Sequence, residues 1–499
     1  MTIPVSGDAK SKIEVSHPIT LRMALALFFI LHCVIHYYFC FFEYLGEPDA
    51  GRLVIDAIII ASEGENSLTG YRIRSSPAYI CAIAFMLKKG MVTINTIPSL
   101  LTWVSLLSGG FVVAMGIAIT YRWFQSYCAI LVFVLIIEFC PVFWQSSIVG
   151  FPTMVALAFF MAALYLFETS LNEIEIRTGP LICSSLFFIA AVLLKIDVLA
   201  LVPALFGIAY HHRRKKLASI SVFILITAVI AFVLGSIFAS HFSAPMPSID
   251  FWQNWDSRWP MTLQTLFSSQ AIGRLICGAG FLTVPLGAIA LTSMALKNAS
   301  YRRLSIMLIL WVLPALIFWL SRPGGARHFI SIYIPLAISI SYLATLKPNQ
   351  TKMLATIFLI LFINYFAFKA SADTLRPSGQ IIVSSHLYRS ELDHRHQIGN
   401  TIASNLTRGD VVIHGLGEYS PYLLFEAFKR SIYQLPSRVP RSSPTTRPLP
   451  GQVYRIYQAG GSTSHFCISY RSLSQKEVND LKLRGVHIVS TMEKSSPMR

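Results

Sequence analysis

The sequence predicts an all-α polytopic membrane protein of about eleven transmembrane helices, followed by a small α/β domain on the outer side of the membrane. Three observations predict this: 54% of the 499 residues are hydrophobic, only 13% are charged, and the mean hydropathy is +0.58. Soluble proteins carry about 25% charged residues, so most of this chain must face lipid or other apolar helices. Residues 20–42, 97–119, 126–143, 147–167, 217–238, 275–296, 304–320, 328–346 and 353–370 form long apolar stretches. Each is long enough, or nearly so, to cross a hydrocarbon core of about 30 Å at about 1.5 Å per residue. The first stretch has no small-residue cleavage site behind it and reads as a retained span rather than a signal peptide.

Residues 1–19 are expected in the cytoplasm, with Lys10, Lys12 and Arg22 before or at the first span. The chain then emerges into a long external loop, residues 43–96. Within it, Leu53–Ala61 is strongly apolar yet too short to span, which suits a helix lying in the interface. Ser75-Ser76-Pro77 opens a second short apolar helix, Ala78–Leu87, because Pro is tolerated in a first helical turn.

Residues 180–210 would make one helix of about 46 Å, too long for a single crossing without strong tilt. Two short crossings meeting near Lys195 and Asp197 return the basic run His211-His212-Arg213-Arg214-Lys215-Lys216 to the cytoplasm, as the positive-inside rule favours. The total becomes eleven, and the transmembrane region covers residues 20–370. With an odd number of spans, the tail, residues 371–499, lies outside. The external loop 239–273 carries Trp252, Trp255 and Trp259, as an interfacial anchor does. In the tail, Gly409–Ile413 reads as a turn and strand, Ser474–Leu483 as a capped helix, and Val486–Val489 as a strand. Prolines 436, 440, 444, 448 and 450 mark an irregular arm between them. No internal repeat is visible.

A net charge of +17 raises the possibility of a nucleic-acid partner. The basic residues instead gather in short loops between spans, at Arg213–Lys216, Lys297 with Arg302 and Arg303, and Lys347 with Lys352. That is the distribution of orientation signals beside anionic lipid, and no nucleic-acid partner is expected. Of the eight cysteines only Cys467 lies in the tail, so no internal disulfide staples that domain.

No phosphate-cradling glycine loop, zinc-type ligand spacing or nucleophile elbow is present, and no cofactor is expected, although a divalent ion remains compatible with the acidic residues. The candidates for chemistry are therefore charged groups that membrane geometry gathers on the outer face. Asp49, in Glu47-Pro48-Asp49-Ala50-Gly51-Arg52, stands where the first span gives way to the first interfacial helix. A partly desolvated carboxylate there can serve as a general base, and Asp is also a good helix N-cap. Arg322-Pro-Gly-Gly-Ala-Arg327-His328 pairs two arginines across a glycine turn. That suits a phosphate, because guanidinium contacts are bidentate and glycine admits backbone amides; arginines snorkelling to headgroups are the structural alternative. Lys195 and Asp197 are ionisable groups at membrane depth, or near the outer surface if two crossings meet there. Tyr71, Arg72 and Arg74 precede the second interfacial helix, where a solvated loop is the plainer reading.

Taken together, these residues resemble the GT-C superfamily of membrane glycosyltransferases, in its family-39-like branch of protein O-mannosyltransferases and lipid A aminoarabinose transferases. The likeness covers about residues 20–370 and rests on four features. These are the acid after the first span; the loop with two short helices, including Arg74-Ser75-Ser76-Pro77-Ala78-Tyr79; the segment Leu194-Lys195-Ile196-Asp197-Val198-Leu199 through Pro203-Ala204-Leu205; and the run Arg327-His328-Phe329 through Pro335-Leu336-Ala337. The resemblance implies a hexosyl or pentosyl transferase that moves a sugar from a polyprenyl-phosphate donor to a glycan, lipid or protein acceptor on the outer face of a bacterial inner membrane. It implies Asp49 as the catalytic carboxylate, and Arg52, Tyr71, Arg72, Arg74, Lys195, Asp197, Arg322, Arg327 and His328 as substrate-binding residues. The family's common Asp-Glu pair is here Asp49-Ala50, with Glu47 and Asp56 as the nearby acids. Two other readings stay open: a lipid-linked sugar flippase or transporter, and a membrane polysaccharide polymerase or ligase.

Overall fold

The computed structural model describes residues 18–40, 42, 48–63, 76–171, 177–212, 282–320 and 329–346. It also describes isolated helical positions between 224 and 275 and at 358 and 362, and five strands with four helical positions in the tail. Twelve α-helices follow in order: α1 Pro18–Tyr37, α2 Pro48–Glu63, α3 Pro77–Lys88, α4 Ile97–Phe124, α5 Tyr127–Glu138 and α6 Pro141–Ile148, then α7 Pro152–Ser170, α8 Thr178–Leu194, α9 Val202–His212, α10 Thr283–Lys297, α11 Ala299–Leu320 and α12 Ile330–Leu343.

Among the described residues, four helices are long and apolar enough to cross a membrane: α1, α4, α7 and α11. The bent pair α5–α6 makes a fifth if it is one span. The chain is an integral membrane protein by this measure, and the described part holds fewer full-length spans than eleven. The stretch 126–143, expected as one span, is instead broken. Pro141 lacks an N–H and pushes Cys140 into an extended conformation (φ −86°, ψ 113°), and α6 leaves α5 at 71°. The Trp144 indole N–H donates to the carbonyl of Glu138, so the last turn of α5 does not leave that acceptor bare.

The core is built around α4 and α7. Val112, Val113 and Ile117 of α4 pack with Phe133 of α5, Met154, Phe160 and Met161 of α7, and Trp311 of α11, all fully buried. Between membrane helices there is little hydrophobic gain from association, so polar and close-packed contacts hold the bundle. The Ser184 hydroxyl donates to the Ala163 carbonyl at 2.7 Å, joining α8 to α7. Ser305 donates to the Leu291 carbonyl at 2.8 Å, joining α11 to α10, and the Tyr333 hydroxyl donates to the Ile136 carbonyl at 2.8 Å, joining α12 to α5.

The two short helices of the first loop are α2 and α3, and they pack on each other. Pro48, rather than Asp49, opens α2, so Asp49 lies in the first turn instead of serving as the N-cap. An acid in that turn is still favoured by the helix dipole. The long stretch 180–210 is divided where its charges fall. Helix α8 ends at Leu194, Lys195 is extended (φ −156°, ψ 112°), Ile196–Leu201 form a 3₁₀ turn, and α9 restarts with Pro203 in its first turn.

In the tail, strands β1 Gly409–His414, β2 Ser437–Arg438, β3 Gln452–Ile456, β4 His465–Ser469 and β5 Val486–Thr491 form one mixed sheet in the order β2-β3-β1-β4-β5. β1 runs antiparallel to β3 and parallel to β4, and β4 runs parallel to β5. The parallel β4–β5 pair needs a crossover, which residues 470–485 supply; 475, 476, 479 and 483 within it are helical.

Candidate functional site

The turn between α6 and α7 organises one end of the bundle. Gly150 there is left-handed (φ +67°), and a Cβ on it would stand 2.8 Å from Leu101 Cβ, so only glycine fits without strain. Its carbonyl accepts a 2.7 Å hydrogen bond from the Tyr79 hydroxyl of α3. Tyr79 is buried, and burial pushes its phenol well above the usual range, so it stays a donor. The loop helices are thereby fastened to the turn that leads into α7.

Three residues further on, Thr153 Oγ1 accepts a 2.6 Å hydrogen bond from Lys195 Nζ. Lys195 is 5% exposed. Its ammonium lies 3.6 Å from Asp197 Oδ2, 4.9 Å from the centre of the Phe151 ring and 5.9 Å from that of Trp319. A buried cation is costly unless paired and hydrogen-bonded. The Asp197 carboxylate, the Thr153 hydroxyl and two aromatic faces take part in that task. The extended conformation that ends α8 is what turns this lysine toward α7 rather than along its own helix.

Thr153, Lys195, Asp197 and Trp319 line a cavity of about 30 Å³ together with Val198, Leu201, Ile330 and Ser331. Trp319 lies near the end of α11, and Ile330 and Ser331 open α12. Described residues on either side of 321–328, Trp319 before it and Ile330 and Ser331 after it, therefore line the cavity that holds Lys195 and Asp197. A wider groove of about 660 Å³ runs between α10 and α12, past Thr292, Ser293, Lys297 and Tyr342. Among the described residues that line it, Lys297 is the one charged group.

The structure thus brings Lys195 and Asp197 together as the sequence pattern anticipates. It places Asp49 and Arg52 in the first turns of α2, whose side chains there lie outside the described residues, as do Tyr71, Arg72, Arg74, Arg322, Arg327 and His328. Thr153, Phe151 and Trp319 were not among the anticipated residues, because ordinary apolar runs give no signal for which side chains meet a distant lysine. A second polar cluster, His32 and His36 of α1 with Glu138 of α5, was also missed. Two histidines four apart in an apolar span, and a single acid in the next stretch but one, were its available signal.

No family model and no curated protein matches the sequence. The architecture is similar to that of ArnT from Cupriavidus metallidurans, solved bound to undecaprenyl phosphate, with a TM-score of 0.52 and 17% identity over 81% of this chain and 75% of that one. It is also similar to the archaeal oligosaccharyltransferase AglB from Archaeoglobus fulgidus, solved with an inhibitory peptide and a dolichol-phosphate. There the TM-score is 0.50 and the identity 11%, over 90% of this chain and 62% of that one. Identities this low speak to fold alone. The chain shares the fold of these two membrane-protein structures.

Proposed function

We propose that the protein is a membrane glycosyltransferase that takes a sugar from a polyprenyl-phosphate donor and passes it to a glycan, lipid or protein acceptor at the outer face of the membrane. One observation carries the proposal: a buried lysine, paired with a carboxylate, stands in a cavity lined by Trp319, Ile330 and Ser331, which flank the stretch bearing Arg322, Arg327 and His328 in the sequence. A lipid-phosphate leaving group needs cations as its charge develops, and fixed cations in a water-poor site are most effective. Lys195 supplies one, and Arg322 and Arg327 supply the bidentate contacts that a phosphate favours.

In the reaction, an acceptor nucleophile attacks the anomeric carbon, the bond from that carbon to the phosphate oxygen breaks, and its electron pair leaves with the polyprenyl phosphate. Asp49 takes the acceptor's proton. Its place in the first turn of α2 supports the assignment, because α2 packs on α3 and Tyr79 of α3 is bonded to the turn that bears Thr153. Arg52, one turn along α2, and Tyr71, Arg72 and Arg74, just before α3, orient the donor sugar and its phosphate in this scheme; His328 adds a donor at the arginine turn. The N-terminus is cytoplasmic, loop 43–96 and the tail lie outside, and the membrane is the bacterial inner membrane. The similar structures were solved with undecaprenyl phosphate and with a dolichol-phosphate, which supports this class of donor.

The test is binding of undecaprenyl phosphate to the purified protein, wild type against Lys195→Met, which keeps the apolar stem and removes the charge. Loss of a charge-assisted hydrogen bond of about 1.5–3 kcal/mol weakens affinity about 10- to 100-fold. Equal affinity in the two proteins removes Lys195 from the donor site.

A further inference from the structure

Helix α1 faces outward along most of its length, with Met23, Leu27, Ile30 and Val34 exposed as a lipid-facing surface requires. Among its described side chains the two that are fully buried are both polar: His32 and His36. The spacing of four sets them on one helix face, one turn apart, with ring centres 3.9 Å from each other. They meet Glu138, the last residue of α5, at the break before α6. His32 Nδ1 is 3.0 Å from Glu138 Oε1, and His36 Nδ1 is 3.8 Å from Glu138 Oε2.

Hydrogen bonding does not exhaust this cluster. His32 Nε2, His36 Nε2 and Glu138 Oε2 are shut off from solvent and have no hydrogen-bond partner. Polar atoms buried in that way are expensive, and more so at membrane depth. One ring nitrogen from each histidine and one carboxylate oxygen lie within 4.8 Å of one another. The ligands of a tetrahedral zinc stand about 3.4 Å apart, so small side-chain rotations close the set.

The surroundings hold these side chains in place. Phe143 and Trp144 of α6 wall the cluster, with ring centres 5.4 Å from His32 and 4.2 Å from His36. The Trp144 indole is bonded to the Glu138 carbonyl, and His36 Nδ1 to the His32 carbonyl at 2.9 Å. Opposite, Gly109 of α4 makes room: a Cβ there would stand 2.6 Å from His32 Nε2 and 2.5 Å from Ser147 Oγ.

We propose that His32, His36 and Glu138 form a three-ligand site for a divalent transition-metal cation of the zinc type, which clamps α1 to the break between α5 and α6. Two imidazoles and one carboxylate favour zinc and its neighbours over magnesium or calcium, which prefer oxygen ligands. A dication also answers the buried carboxylate, and three protein ligands leave a fourth position for water. The site shares no residue with the phosphate cavity and does not rest on the transferase reading.

The experiment uses the full chain in detergent, purified through a tag without histidine, stripped with chelator and reloaded with zinc or with cobalt(II). Metal analysis should find about one zinc per chain, and the cobalt form should absorb in the visible as a low-coordinate nitrogen- and oxygen-ligated ion. His36→Gln and Glu138→Gln should each weaken zinc retention by more than about tenfold, since even outer partners of metal ligands cost about 10- to 100-fold. The wild-type cobalt spectrum decides the matter even if a variant fails to fold. A wild-type protein that retains no zinc, a spectrum of hexa-aquo or sulfur-ligated cobalt, or folded variants that hold zinc as tightly as wild type would each overturn the site and leave a plain hydrogen-bonded clasp.

Discussion

The ammonium of Lys195 donates to the hydroxyl of Thr153 across 2.6 Å, joining the break after α8 to the first turn of α7. That bond makes Thr153 a positioning residue for the lysine. Thr153→Val keeps the shape and removes this acceptor from Lys195, while Asp197 and the two aromatic rings stay in place. Donor affinity should fall less than in Lys195→Met, by about three- to tenfold, with thermal stability lowered by about 1 kcal/mol. A binding isotherm together with a melting curve checks both numbers; a Thr153→Val protein that binds undecaprenyl phosphate no worse than wild type denies Thr153 that role.

Tyr79 and Gly150 give a prediction about the loop helices. Tyr79→Phe deletes one hydrogen bond to a buried carbonyl and should cost about 1–3 kcal/mol. Gly150→Ala meets both a left-handed backbone and Leu101, and should cost more, from about 1–2 kcal/mol for the conformation plus the overpacking. Limited proteolysis should cut between α2 and α3 faster in both variants. Unchanged cleavage would mean that the bond does not fasten the loop to the bundle.

Much of this end of the molecule was legible in the sequence, and the reasons are local. Ser76 and Pro77 announce α3, and the apolar length of residues 97–119 and 147–167 announces α4 and α7. The division of 180–210 at Lys195 followed from length and charge, since one straight helix would overrun the bilayer. The bend after Glu138 was not anticipated. A wholly apolar run shows no periodicity that changes at a bend, and Pro141 was its one mark. The same bend carries Glu138 to His32 and His36, so missing it hid that cluster as well. Asp49 stands at the second position of α2, because Pro48 takes its opening. Arg322, Arg327 and His328 lie outside the described residues.

Arg322 and Arg327 are expected to act on the donor rather than the acceptor. Alanine at either position should raise the apparent KM for donor about 10-fold or more while the acceptor KM stays within about twofold, and lysine should rescue only partly because the bidentate fork is lost. Donor kinetics unchanged in both alanine variants would remove the arginine turn from the phosphate site.

Orientation follows from the basic residues at the junction of α10 and α11. Lys297 ends α10, and Arg302 Nε donates to the Ala295 carbonyl at 3.1 Å, placing cations at that helix C-terminus. Cysteines introduced at residues 298 and 350 should be labelled only after the membrane is permeabilised, and cysteines at residues 66 and 470 without it. The opposite pattern would set the arginine turn on the cytoplasmic side and end the outer-face reaction.

The central claim is that a lipid-phosphate donor is cleaved, with Asp49 taking the proton. The direct measurement follows a polyprenyl-phosphate donor carrying a radiolabelled sugar in proteoliposomes, for wild type and Asp49→Asn. Asparagine keeps the volume and a polar first turn, so the variant should insert and purify as wild type does. Wild type should move label from lipid to acceptor and release polyprenyl phosphate, and Asp49→Asn should do so at least about a hundredfold more slowly. Intact donor crossing between leaflets without loss of its sugar would contradict the account in favour of a flippase, and an Asp49→Asn enzyme with wild-type turnover would contradict the assignment of the base.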